Sequence, residues 1–205
     1  MSSNALDDPA SSATTGRRAR HKEETRVRLV RAAWELFVSL GFDQTSMDQI
    51  ARRAHVSRRT CFRYFPTKES LAFPYREQRL ARFDELVRQG PAHETPYEAV
   101  RRAFLVMAGE LMVQLQEVVA LEQLVRRHPT LRARDREHDW HWEQVIAVAL
   151  SRGDPQPLHR MVAGAVMGLI RAALDLWLES GGRLNLIELA HEAFLLLDHG
   201  VPALQ

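Results

Sequence analysis

The stretch 45-TSMDQIARRAHVSRRTCFRYFPTK-68 decides the fold. Ser46, with Gln49 three residues on, has the spacing of a capping box, in which each residue takes up an orphan backbone group of the other. Met47, Ile50, Ala51 and Ala54 then recur at helical spacing and give the segment one apolar face. His55-Val56 interrupts the run. Ser57 offers a second N-cap, opening a helix of barely two turns that Pro66 stops. Thr67 caps a third helix. A helix as short as Arg58 to Tyr64 cannot hold itself together in water, so it must pack on its predecessor through Val56, Cys61 and Phe65. Arg58, Arg59, Thr60, Arg63 and Tyr64 then face outward. Guanidinium, hydroxyl and phenol groups on one surface suit phosphate oxygens and guanine edges in a major groove. Two short capped helices joined by a tight turn fit a helix-turn-helix; a solvated basic helix in an all-α domain is the plainer alternative.

Upstream, Val27, Val30, Ala33, Trp34, Phe37 and Leu40 mark the apolar face of a helix over Glu23 to Leu40, ended by Gly41, on which the two short helices can pack. Residues 1–16 are Ser-, Ala- and Asp-rich without periodicity and are expected to be disordered. Arg17, Arg18, Arg20 and Lys22 follow, either as an arm reaching phosphates or a minor groove or as a solvated tail. Downstream, the helix capped by Thr67 runs to about Val87. Pro74 lies inside it, where it kinks or breaks the helix, as a hinge or a plain loop. Lys68 in its first turn, with the positive helix end, forms a phosphate site.

The chain holds 205 residues with an ordinary apolar fraction of 45%. Residues 1–90 carry 17 Lys/Arg against 11 Asp/Glu, net +6, and residues 91–205 carry 11 against 15, net −4. One end is therefore built to meet a polyanion and the other is not. No apolar run reaches the length of a membrane span, and no membrane partner is expected. The N-terminus lacks a signal-peptide pattern, and the single cysteine, Cys61, fits a reducing cytoplasm. Strand signals are scarce, so the fold class is all-α.

Gln89-Gly90-Pro91 breaks the chain before a second set of helices. Thr95-Pro96-Tyr97-Glu98 opens one with Val100, Phe104, Met107, Ala108, Leu111 and Leu115 along it. Val118 to Val125 is a further apolar segment. Thr130 caps Leu131 to about Leu150, closed by Arg152-Gly153. Leu158 to Leu178 is apolar nearly all round, and Leu184 to Leu197 repeats the pattern. Two such helices exceed what one small core can hide, and a two-fold dimer built as a four-helix bundle covers the excess. Val162, Val166, Leu169, Ala173, Leu186, Leu189, Ala190 and Phe194 are the candidate interface; Gly164 and Gly168 would allow close approach. A wholly intramolecular core is the alternative.

Gly41-Phe42, Thr45-Ser46, Ile50-Ala51, Ala54, Val56-Ser57, Thr60, the run Phe62 to Pro66, and Lys68-Glu69 before Leu71 together resemble the DNA-binding domain of the TetR family of bacterial transcription regulators. The resemblance covers Arg26 to Leu71, and His55 stands where the family usually has Gly. It implies a three-helix N-terminal domain over 22–71, after a basic arm over 1–21. It also implies a helical ligand-binding and dimerisation domain over 72–205. It suggests base contacts from Arg58 and Arg59, and phosphate contacts from Thr60, Arg63, Tyr64 and Lys68, with Thr45 or Ser46. Phe62, where many members have Tyr, loses a hydroxyl contact and keeps an apolar one for a thymine methyl. The partners implied are a near-palindromic double-stranded operator, a second copy of the chain and a small-molecule effector, with no cofactor. The run Arg58 to Lys68 also resembles a subgroup of which some members respond to acyl-CoA-like molecules.

Phe104, Met107, Leu111, Trp140, Leu174 and Trp177 are candidates to line an apolar effector cavity, or else plain core. His138 and His141 share a helix face and suit a metal only with a third ligand, so no metal site is expected. Cys61 in the reading helix is either a redox switch or, more simply, a packed thiol. There is no Gly-rich phosphate loop, nucleophile elbow or HExxH, so an enzyme is not expected. The function expected is that of a ligand-released repressor. The competing class is a helical small-molecule binder or enzyme with only nonspecific nucleic-acid contact.

Overall fold

The three short helices of the N-terminal unit are each closed at their start by a side chain one residue before it. In the computed structural model, which describes residues 9–114, 118–120, 124–125 and 128–200 and side chains from Arg20 onward, Ser46 and Thr67 each close a capping box and Ser57 caps with its hydroxyl alone. The helices are α1 (Pro9–Leu40), α2 (Met47–Arg53), α3 (Arg58–Tyr64) and α4 (Lys68–Ala72). α1 packs on α2 and α4, and α2 packs on α3. Leu29, Ala33, Phe37, Phe42, Ile50, Cys61 and Leu71 form the buried centre. Val27 and Leu40, expected on the apolar face of α1, are exposed; the buried stripe is Leu29, Val30, Ala33 and Phe37.

Residues 9–21, read as part of a disordered arm, continue α1, with Pro9 at the first helical position where its missing N–H costs nothing; residues 1–8 lie outside the described residues. The helix expected from Thr67 to Val87 stops at Ala72 and restarts at Arg76, because Pro74 cannot donate to the ladder. The chain divides into two compact units at that point, up to Pro74 and from Tyr75.

The second unit contains α5 (Arg76–Arg88), α6 (Pro96–Val113), α7 (Pro129–Ser151), α8 (Pro157–Glu179) and α9 (Leu186–His199), with helical turns at 118–120 and 124–125. α7 starts two residues earlier than the Thr130 cap implied, with Pro129 at its first position. Arg152 ends it in the left-handed region at φ 53°. α6 contacts α5, α7 and α9, and α8 lies against α7 and α9. Aromatic rings fill the centre: Phe83, Phe104 and Trp142 meet at centroid distances of 5.1–5.9 Å, and Phe194 adds to them from α9. A second cluster is built on Trp177, Leu178, Leu186 and Ala190.

No unbroken apolar run reaches the length of a membrane span, yet α8 as a whole passes that test. Its 23 residues reach a mean hydropathy of 1.6 over 18 of them, long and apolar enough to cross a bilayer by length and composition. Unbroken apolar runs miss it because Arg171 and Asp175 interrupt the stretch. In the fold, α8 buries Ala163, Val166, Ala173 and Trp177 and leaves Met161 and Leu176 exposed.

Candidate functional site

The turn between α2 and α3 is made without glycine. Ala54 ends α2, and His55 takes φ +54°, its N–H bonded to the Arg52 carbonyl at 3.1 Å. The Val56 N–H then reaches the Ala51 carbonyl at 3.0 Å. Ser57 Oγ accepts the Thr60 N–H at 3.1 Å and shares a hydrogen bond with its hydroxyl at 2.9 Å. α3 is pinned from beneath by Cys61 and Phe65, both buried. Burial pushes the Cys61 thiol up, with Asp48 adding to the effect. The thiol thus stays protonated, inside the core, as a packed residue does.

The opposite side of α3 is open. Arg58, Arg59, Phe62 and Arg63 are exposed, while Thr60 and Tyr64 are half-buried. Arg58 forms an ion pair with Asp48 at 3.1 Å and lies over the Phe62 ring. Such an exposed pair is worth little and orients the guanidinium rather than holding it back from a partner. Arg63 lies over Tyr64 at 5.4 Å. Arg59 has no ion pair or side-chain hydrogen bond among the described residues. Arg53 bonds Glu35 of α1 at 2.8 Å, and with Arg31 it holds that carboxyl below its usual range.

Two of the nine residues expected at DNA face inward. Thr45 is buried and its hydroxyl donates to the Gly41 carbonyl at 2.8 Å, closing the loop after α1. The Lys68 ammonium donates to the carbonyls of Phe42 (2.9 Å), Asp43 (3.3 Å) and Thr45 (3.3 Å) and sits 4.5 Å from the centre of the Phe42 ring. Its three donors have three acceptors, so Lys68 closes this loop. Ser46 is exposed but occupied with Gln49, whose side chain accepts both its N–H and its hydroxyl.

The expected cavity lining does not converge either. Phe104 and Met107 belong to the aromatic core, while Leu111, Leu174 and Trp177 belong to the second cluster. Trp140 is 62% exposed, and Trp142, two residues on, takes the inner position. A cleft of about 910 Å³ opens elsewhere, between α5 and α7, over Leu80, Phe83, Val87, Val145, Val148 and Ala149. Of the expected dimer residues, Val166, Ala173, Leu186, Ala190 and Phe194 are buried within the protomer; Val162, Leu169 and Leu189 are half-buried. The exposed apolar stripe is instead Leu158, Met161, Ala165, Ala172 and Leu176 on α8, with Ile187 and Leu195 on α9. Added Cβ atoms at Gly164 and Gly168 would meet nothing within 4 Å, so neither glycine serves packing inside the protomer. Among the described residues no group of three His, Cys, Asp or Glu side chains could hold a metal.

A capped two-helix reader with a basic outer face, carried ahead of a separate helical unit, defines a DNA-binding transcription regulator. Comparison with known proteins agrees. Residues 29–73 match the model of the bacterial regulatory proteins of the tetR family, and residues 94–202 match the MftR C-terminal domain. TcmR, an HTH-type transcriptional regulator of Streptomyces glaucescens, is 32% identical over 72% of this chain and 71% of its own. A Mycobacterium tuberculosis protein described as a putative mycofactocin biosynthesis transcriptional regulator, MftR, is 26% identical over 90% of this chain and 95% of its own. The crystal structure of Thermus thermophilus FadR, a TetR family repressor in complex with lauroyl-CoA, aligns over 86% of this chain and 94% of its own, at 29% identity and a TM-score of 0.62. The chain belongs to the TetR family.

Proposed function

We propose that the protein is a homodimeric repressor that holds a near-palindromic operator and releases it when a small amphiphilic molecule occupies the helical unit. The observation that carries this is α3 itself: a helix buried on one side through Cys61 and Phe65 and open on the other through Arg58, Arg59, Phe62 and Arg63. In this reading Arg58 and Arg59 address base edges, and Phe62 touches a thymine methyl. Thr60, Arg63 and Tyr64 reach phosphates, with Ser46 at the start of α2. Thr45 and Lys68 are structural. The exposed stripes of α8 and α9 meet their copies across a two-fold axis, and that symmetry sets half-sites about one helical turn, or a small multiple, apart. Lauroyl-CoA in the Thermus protein supports an effector with a long apolar part. The effector acts by binding better to a dimer whose reading helices no longer match the operator spacing. A repressor works where its operator DNA lies, which in this reading is the cytoplasm.

Selection of bound sequences from random double-stranded DNA with the full-length chain tests this. A recovered near-palindrome is the expected result. Binding with a steep salt slope and no enriched sequence would replace it with nonspecific contact.

A further inference from the structure

α5 and α7 lie side by side and end together. Arg76 bonds Asp135 near their starts, at 2.9 Å, and Phe83 meets Trp142 edge-on further along, so the two helices run in the same direction. Their last turns bound the cleft of about 910 Å³, together with residues of the segment that joins α5 to α6. Leu80, Phe83 and Val87 from one helix and Val145, Val148 and Ala149 from the other give it apolar walls. Its volume lies within the size range of small-molecule sites.

Four charged side chains line the cleft, Asp84, Arg88, Glu94 and Arg152, and all four are engaged. Asp84 and Arg88, one turn apart on α5, form an ion pair. The Glu94 carboxylate accepts the Nε–H of Arg102 at 2.9 and 3.2 Å, and Arg102 also donates to the Leu86 carbonyl at 2.9 Å. This pair is packed against the backbone of Gly90, where an added Cβ would clash with both of its members. Arg152, at the end of α7, donates to the Glu94 carbonyl at 2.7 Å. With Arg102 counted, two acids stand against three arginines. The C-terminal ends of α5 and α7 both meet the cleft, and each carries roughly half a negative charge, so the balance closes near zero. A charged ligand therefore finds no unmatched counter-charge. One polar side chain of the lining is uncommitted: Gln144 of α7, half-buried, makes no side-chain hydrogen bond among the described residues. Its amide can both donate and accept.

We propose that this cleft takes the effector and that the effector is an uncharged amphiphile, its apolar part between Phe83 and Val148 and its hydroxyl or carbonyl group hydrogen-bonded by Gln144. This rests on the effector-responsive reading above and names the chemistry of the molecule that reading requires. A carboxylate or an ammonium would lose water here without gaining a partner of opposite charge, which is costly. An alcohol gives up far less and recovers it at the amide.

The test uses the full-length chain and three ten-carbon probes below their micelle concentrations: decanol, decanoate and decylammonium. Affinity is read by titration calorimetry, and the folding of each variant by thermal melting. Decanol is expected to bind roughly tenfold or more tighter than either ion. Gln144→Leu should weaken decanol about three- to tenfold, as the loss of one hydrogen bond does. Val148 is 51% exposed, so a larger side chain there does not disturb the core. Val148→Trp should fill the cleft and remove decanol binding. An ion that binds as tightly as decanol, no binding of any probe, or a decanol affinity left unchanged by either variant would overturn the proposal. The DNA selection uses no probe, so the two readings fail separately: a recovered palindrome without decanol binding sinks the cleft alone.

Discussion

His55 and Arg59 set, at the scale of single residues, what the reading head costs and what it reads. A non-glycine residue in the left-handed region costs roughly 1–2 kcal/mol, and a glycine in its place costs the unfolded chain roughly 0.5–1 kcal/mol less order. His55→Gly is therefore expected to stabilise the protein by about 0.5–1 kcal/mol, read as a higher denaturant midpoint at unchanged slope. A lowered midpoint, the glycine's entropy cost with nothing to offset it, would mean that the turn is not strained. Arg59 has no intramolecular partner among the described residues, so its removal leaves the fold intact and reports on DNA alone. Arg59→Ala should weaken operator binding by about 1–3 kcal/mol and relax preference at one base pair. An equal loss on operator and random DNA would assign Arg59 to phosphate.

Between elements, His138 of α7, whose Nε2 accepts the Trp142 indole N–H at 3.0 Å, is an acid-sensitive point, because burial and the nearby Arg76, His141 and Arg79 disfavour its charged form. Its pKa is depressed to about 3 in the fold against about 6.5 in the unfolded chain. The unfolded state therefore binds the extra proton first, and this contribution is fully present above pH 6.5 and is lost as pH falls toward 3. His138→Gln keeps an acceptor for Trp142 and does not titrate. The variant is expected to lose stability less steeply than the parent between pH 6.5 and pH 4, in denaturant titrations at stepped pH; parallel curves would remove His138 from the acid response. The same helices show where sequence stops being legible. Signals that act within one turn, the caps at Ser46, Ser57 and Thr67 and the left-handed His55, read directly, because the atoms that satisfy them lie three or four residues away. The side of a helix that faces the core does not read so easily. Trp140 and Trp142 are two residues apart, roughly 200° around the helix, and only the partners of α7 decide which is inside. α8 is apolar on every side and carries no phase at all. Its neighbours took the side with Val166 and Ala173, leaving Met161 and Leu176 for the face that the sequence assigned to the others. The inward bonds of Thr45 and Lys68 are hidden for a related reason: their acceptors are backbone carbonyls, which have no signature in the sequence.

At the scale of the whole molecule, the exposed stripe of α8 and α9 is what a second copy would cover. Met161 is 72% exposed and lies on this stripe. Met161→Glu places a like charge opposite its own copy across the two-fold axis, so the full-length variant should sediment as a monomer at micromolar concentration where the parent sediments as a dimer. A variant that stays dimeric would move the interface elsewhere. Lys68 carries a consequence of another kind. By gripping the carbonyls of Phe42, Asp43 and Thr45 it fastens the chain across 23–26 residues, and the enclosed ring holds both α2 and α3. Neither helix can open without unfastening the other. In hydrogen-exchange terms the reading head is one cooperative unit, and the amides of Ile50 and Cys61, on different helices, are expected to exchange through one shared opening and to lose their protection together in Lys68→Met.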